Sequence, residues 1–186
     1  MTTLFKRSPG LAIAACFLSM NLSTSAAAAT TLADFEGDYE LVSSTTEPAS
    51  NWLFTKGRIS VKKMDERHLS IIHACEWKKS PKEVCSDRYK AQWRNGKLYL
   101  QDMNTFHQRM GFDLATHRFM VVTQGVNGTV RQDVYQATAA PLTDKALVRR
   151  MKREREAVDD LIDEPAFGHY SKWEYRDNPI TVQGQR

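Results

Sequence analysis

Residues 88–100 read Arg88-Tyr89-Lys90-Ala91-Gln92-Trp93-Arg94-Asn95-Gly96-Lys97-Leu98-Tyr99-Leu100. Tyr89, Ala91 and Trp93 alternate with Arg88, Lys90, Gln92 and Arg94, the period of two expected of a half-buried strand. The pair Asn95-Gly96 accepts the positive φ angles of a type I′ turn, so the chain reverses into a second strand from Lys97 to Met103. A second pair, Asn127-Gly128, also stands between alternating segments and carries the same hairpin signal. The element that organises the chain is therefore an antiparallel hairpin, repeated.

Working outward, the same pattern recurs on both sides. Asp38 to Ser44 is a strand with Tyr39, Leu41 and Ser43 on one face, followed by a Ser-, Thr- and Pro-rich loop to Asn51. Trp52 to Phe54 begins the next strand, and Gly57 to Met64 sets Ile59 and Val61 against Arg58, Ser60 and Lys62. His68 to Trp77 carries Leu69, Ile71, His73, Cys75 and Trp77 in one phase. Ile72 and Ala74 are apolar in the other, which predicts cover on both faces. Thr105 to Asp113 places Phe106, Gln108, Met110 and Phe112 together, Arg118 to Gln124 is the most apolar segment, and Gly128 to Ala137 closes the series. The expected fold is all-β: an antiparallel meander of about eight strands over residues 30–141, the spacing of a barrel or sandwich.

The period changes after Pro141. Residues 142–164 repeat Leu147, Met151, Val158 and Ile162 near helical spacing, with Thr143 as the expected N-cap and Pro165 as the stop. Cations crowd the first half of this helix and anions its end, which opposes the helix dipole. It must gain its stability by packing its apolar stripe. Residues 166–186 are expected to drape over the domain or form an edge strand.

The N-terminus sets the compartment. Lys6 and Arg7 precede an apolar run from Leu11 to Met20, too short to span a bilayer, and Ser25 to Ala29 offers small-residue cleavage sites. Residues 1–29 read as a secretory signal peptide, with the mature protein periplasmic or secreted. Ile13-Ala14-Ala15-Cys16 resembles the lipobox of bacterial lipoproteins. Against a lipoprotein, the apolar run before Cys16 is short and continues beyond it. Lys6 and Arg7 leave with the signal and no acidic residue does, so the formal charge of +4 falls by two and the pI of 9.0 overstates the basicity. Nothing in that balance demands a nucleic-acid partner. Removal of Cys16 leaves Cys75 and Cys85, an even count in an exported chain, which predicts a structural disulfide. They lack the C-x-x-C spacing of a redox pair.

An exported meander of about eight strands, entered by Gly37-Asp38-Tyr39 and followed by a helix, resembles the lipocalin and wider calycin families. Their first strand typically carries Gly-x-Trp, and here Tyr39 replaces Trp. The resemblance implies a barrel with Phe35 at its floor, the helix behind the last strand, and a barrel open at one end to a small apolar ligand. It carries over no binding residue.

The residues themselves offer little catalytic chemistry. The five histidines show no metal-ligand spacing, and the default for His73, in phase with Ile71, is a buried neutral ring with a hydrogen-bond partner. No nucleophile motif is present. Asp87 and Asp102 fall on adjacent strands near inward positions, where a strand end facing water is the ordinary reading and acid–base work the sharper one. Tyr89, Trp93, Phe106, Met110 and Phe112 fall in the inward phase and are the candidate ligand-binding residues. Gln108 and Gln132, polar within apolar phases, favour a partly wet interior. Lys145, Arg149, Lys152 and Arg153 share one side of the helix and suit an envelope-protein partner or an anionic lipid. The leading expectation is an exported lipocalin-like binding protein for a small apolar or amphipathic ligand, without catalysis, cofactor or metal. The alternative is a periplasmic interaction module such as an inhibitor, immunity or envelope-assembly factor, and third an enzyme.

Overall fold

The computed structural model describes residues 30–101, 107–162 and 179–184. It is a closed β-barrel with one α-helix packed outside it. The strands are β1 (Gly37–Glu47), β2 (Phe54–Lys63), β3 (His68–Trp77), β4 (Val84–Arg94), β5 (Lys97–Gln101), β6 (His107–Asp113), β7 (Arg118–Gln124), β8 (Val130–Ala137) and β9 (Pro179–Gln183). Around the barrel they run β1-β2-β3-β4-β5-β9-β6-β7-β8, with β8 closing on β1. The signal segment, Asp102, Phe106, Pro165 and His169 lie outside the described residues.

The described residues form nine strands where about eight were expected, and the tail is neither a drape nor an edge at 179–183. β9 runs antiparallel to β5, with Leu98 opposite Ile180, and parallel to β6, with Gly111 opposite Thr181. It bridges two strand edges that would otherwise lack ladder partners, and a closed barrel leaves no edge exposed. Pro179 is tolerated because it is the first residue of its strand.

The Asn95-Gly96 turn has φ of 52° and 71°, the pair of positive values a type I′ turn needs. The second hairpin departs from that form. Only Gly128 has a positive φ, 81°, and Gly125 pairs with Thr129 around a longer loop. Asn127 instead accepts a hydrogen bond from the Thr129 N–H through its side chain at 3.1 Å.

Two findings concern strand faces. β1 slips register between Leu41 and Ser43, so Ser43 turns outward and Ser44 and Thr46 take the inner phase. Arg58 and Ser60, polar and in the phase opposite Ile59 and Val61, are buried on the outer face of β2. There Arg58 donates to the Ala140 carbonyl at 2.6 Å, and Arg155 of the helix reaches Ser60.

The helix α1 (Lys145–Ile162) buries Leu147, Met151 and Val158 against Ile72 and Ala74 of β3, so that strand is covered on both faces. Its N-cap is Asp144, not Thr143. The Asp144 carboxylate accepts from the Ala146 and Leu147 N–H groups at 3.0 and 3.2 Å and pairs with Lys56 of β2 at 2.9 Å. A cap carboxylate puts negative charge where the dipole favours it, which offsets the cations of the first half. Glu154, also buried, accepts from Ser86 and Arg88 of β4 at 2.7 and 2.8 Å and pins the middle of the helix.

Candidate functional site

The β6–β7–β8 registers arrange the interior in rows. Phe112, Phe119 and Tyr135 lie side by side, then Met110, Val121 and Asp133, then Gln108, Thr123 and Arg131. Moving from the first row to the third, the lining changes from aromatic to polar. β1 continues the rows with Leu41, Ser44 and Thr46.

The first end is filled. A short 3-10 helix, Leu32–Phe35, brings the fully buried Phe35 against Phe112 at 4.9 Å and Trp93 at 5.8 Å between ring centroids. Phe112 also meets Phe119 edge-on at 4.4 Å, and Tyr39 packs on both. The Tyr39 hydroxyl satisfies itself on the Phe35 carbonyl at 3.0 Å. This end is a floor.

The other end holds a cavity of about 210 Å³. Ile59, Ile71, Met110 and Val121 form its apolar wall, Trp52, Phe54, Trp77 and Tyr89 its aromatic wall, and His73, Asp87, Gln108, Thr123 and Arg131 its polar groups. Trp52, Trp77, Cys85, Asp87 and Gln108 are half-buried, so solvent reaches this rim.

Of the five candidate ligand-binding residues, Tyr89 and Met110 line the cavity. Trp93 and Phe112 belong to the floor instead, because the two ends of the barrel take different positions of the same inward phase. Phe106 lies outside the described residues. Gln108 lines the cavity, whereas Gln132 is exposed: β8 turns Arg131, Asp133 and Tyr135 inward and Val130 and Gln132 outward. Sequence reasoning missed Arg131, Asp133, Tyr135, Trp52 and Phe54. The signal available was the alternation Arg131-x-Asp133-x-Tyr135, which on one strand face sets opposite charges next to each other.

That face carries a buried polar network. Arg131 Nε donates to Asp133 Oδ2 at 2.9 Å, and Ser44 Oγ donates to the other carboxylate oxygen at 2.6 Å. The Arg131 guanidinium stands 3.9 Å from the Phe54 ring centroid, 4.5 Å from that of Trp52 and 5.0 Å from that of Trp77. The ring quadrupoles favour a cation there, most strongly where water is excluded. Arg131 Nη1 and Thr123 Oγ1 are buried without a hydrogen-bond partner among the described residues. Burial pushes the Asp133 carboxyl up, against the opposing pull of Arg131 and Ser44.

His73 is buried, as expected of its phase, and its Nε2 meets the Tyr135 hydroxyl at 2.7 Å. Burial, helped by the nearby Arg131 charge, lowers its pKa to about 3, so the ring is neutral. Asp87 faces His73 directly across the β3–β4 register near the start of β4 and lines the cavity, half-buried at its rim. Burial raises its pKa, and Glu154 adds to the rise, while the Tyr89 hydrogen bond and Arg131 oppose it.

Cys75 and Cys85 are opposite each other on β3 and β4 and form the expected disulfide, with Cα atoms 5.1 Å apart. It borders the cavity through Cys85. On α1, Arg153 pairs with Glu154 and Lys152 with Glu156, so part of the basic side is engaged within the helix itself.

No protein-family model matches the chain, and no curated protein matches it significantly. Among solved structures, lobster apocrustacyanin A1 is similar at 13% identity and a TM-score of 0.37, over 82% of this chain and 79% of that one. The siderocalin Ex-FABP is similar at 10% identity and a TM-score of 0.33, over 82% of this chain and 92% of that one. Neither transfers a residue role to this chain, and the layout rests on the strand order and registers above. A closed antiparallel-dominated barrel, floored by the N-terminal turn and backed by the helix after β8, has the layout that the resemblance to lipocalins implies.

Proposed function

We propose that this chain is an exported binding protein that holds a small apolar or amphipathic ligand in the rimmed end of its barrel and does no chemistry on it. The observation that carries the reading is the asymmetry of the interior. One end is packed with aromatic rings, while the other keeps a cavity of about 210 Å³ with an apolar wall and a few converging polar groups. That volume lies below the ~300–1,000 Å³ usual for drug-sized ligands. The ligand is then a small molecule, or the head of a longer one whose remainder leaves through the mouth. A Cys75–Cys85 disulfide fits an oxidising compartment, in keeping with the charge, apolar and small-residue order of residues 6–29.

Native mass spectrometry of the protein purified from its own host tests this. The expected result is a retained small molecule, lost on denaturation. Its rebinding should change the intrinsic fluorescence, because Trp52 and Trp77 line the cavity. A protein that arrives empty and whose fluorescence responds to no member of an extracted small-molecule pool would overturn the reading.

A further inference from the structure

We infer that the row of the cavity farthest from the floor is a site for a neutral carbonyl oxygen, such as that of an amide or ketone, held by Arg131 Nη1 and Thr123 Oγ1 in preference to a carboxylate. The inference rests on the ligand-binding reading above and specifies the ligand's polar group. Arg131 and Thr123 are directly opposite in the β7–β8 register, which places their side chains next to each other on the inner face. Both residues are at least nine-tenths buried, and both line the cavity. Arg131 Nη1 offers a donor, and the Thr123 hydroxyl can offer one too. Neither atom has a partner among the described residues. A buried donor left unmade is costly, so a ligand acceptor placed between them recovers what folding left unsatisfied.

The charges decide which acceptor. Arg131 already carries its counter-ion: Asp133, at 2.9 Å, with only 1% of its side chain exposed. A ligand carboxylate would therefore enter as an excess anion close to the buried Asp133, in a cavity that Asp87 also lines. Like charges close together out of water are strongly unfavourable. The neutral His73 ring supplies no compensating charge. A carbonyl oxygen accepts the same two hydrogen bonds and adds no net charge. The Phe54, Trp52 and Trp77 rings hold the guanidinium in place, so little side-chain freedom is lost when the ligand arrives.

The test is an NMR titration of the full mature chain with benzamide, benzoate and toluene, which share a ring and differ in the group presented. The proposal expects benzamide to bind at least about tenfold more tightly than benzoate near neutral pH, and more tightly than toluene. Thr123→Val keeps the side-chain shape and removes the hydroxyl. It should weaken benzamide about 3- to 10-fold without weakening toluene, and Thr123→Ser should restore benzamide. Toluene binding with no preference for benzamide, benzoate binding as tightly as benzamide, or indifference to Thr123→Val would overturn the carbonyl site while leaving the cavity reading intact. Failure of all three probes to perturb cavity residues would overturn both.

Discussion

The Tyr135 hydroxyl of β8 and the His73 Nε2 of β3 lie 2.7 Å apart across the inside of the barrel, with their rings nearly perpendicular at 89°. Each is the other's polar partner, with Tyr135 fully buried and His73 only 7% exposed. Tyr135 reaches this position because Gly57 on β2 has no side chain. A Cβ there would stand 3.1 Å from Tyr135 Cε1 and 3.2 Å from its hydroxyl oxygen.

Two substitutions probe that relationship. Tyr135→Phe should cost about 1–3 kcal/mol, because it strands a buried imidazole nitrogen. Gly57→Ala should cost about 1–3 kcal/mol by displacing the ring. Urea unfolding of the two single variants and the double variant measures both. Losses that simply add in the double variant would show that glycine and hydroxyl act independently, against the geometry described.

His73 should remain neutral well below its ordinary range. Its folded pKa, about 3, lies below the ordinary value of 6.5. Its contribution to stability is therefore full above the unfolded pKa and is lost as pH falls from about 6.5 toward 3, at up to about 1.4 kcal/mol per pH unit. The half-buried Asp87 and the buried Asp133, whose pKa values are raised, act in the opposite sense. Imidazole ¹⁵N shifts isolate the group from them. His73 should not titrate between about pH 8 and pH 5, and a midpoint near 6.5 would contradict its burial.

Phe112→Ala and Met110→Ala should separate floor from cavity, although they are two residues apart on one face. Phe112 is 1% exposed and packs on Phe35, Tyr39 and Phe119. Its removal should cost about 3–5 kcal/mol and leave ligand affinity nearly unchanged in whatever fraction stays folded. Met110→Ala enlarges the cavity wall, so its larger effect should be on binding. Denaturant unfolding paired with toluene titration reads both, and a binding loss in Phe112→Ala equal to that in Met110→Ala would remove the distinction.

Protein isolated from the cell envelope should show no free thiol when unfolded without reductant. Cys75 and Cys85 are bonded, and Cys16 is expected to leave with the signal. Reduction should destabilise the fold by about 2–3 kcal/mol for so short a loop. One free thiol would mean that Cys16 is retained, and Edman sequencing should find a start near Thr30 rather than a blocked Cys16.

Much of the barrel is local and was therefore legible in the sequence. Alternation at Tyr89, Ala91 and Trp93 needs only the pleat, and the Asn95-Gly96 turn needs only two residues that accept positive φ. The helix stripe of Leu147, Met151 and Val158 and the double cover over Ile72 and Ala74 follow from period and hydrophobicity alone. The pairing of Cys75 with Cys85 follows from their number and their shared inward phase. What the tertiary structure decided is everything that depends on residues far apart in the chain. β8 offers two phases, and hydrophobicity favours Val130 and Val134. The inward choice of Arg131, Asp133 and Tyr135 becomes favourable only because Ser44, His73 and the Phe54 ring stand opposite, 62 residues away in the case of His73 and 89 in the case of Ser44 and Asp133. A buried charge is stable only when its partners are already in place, and a single strand's sequence does not contain them. The same reason hid β9, since a five-residue strand gains its stability from the two edges it joins, and those edges exist only once the barrel has curled.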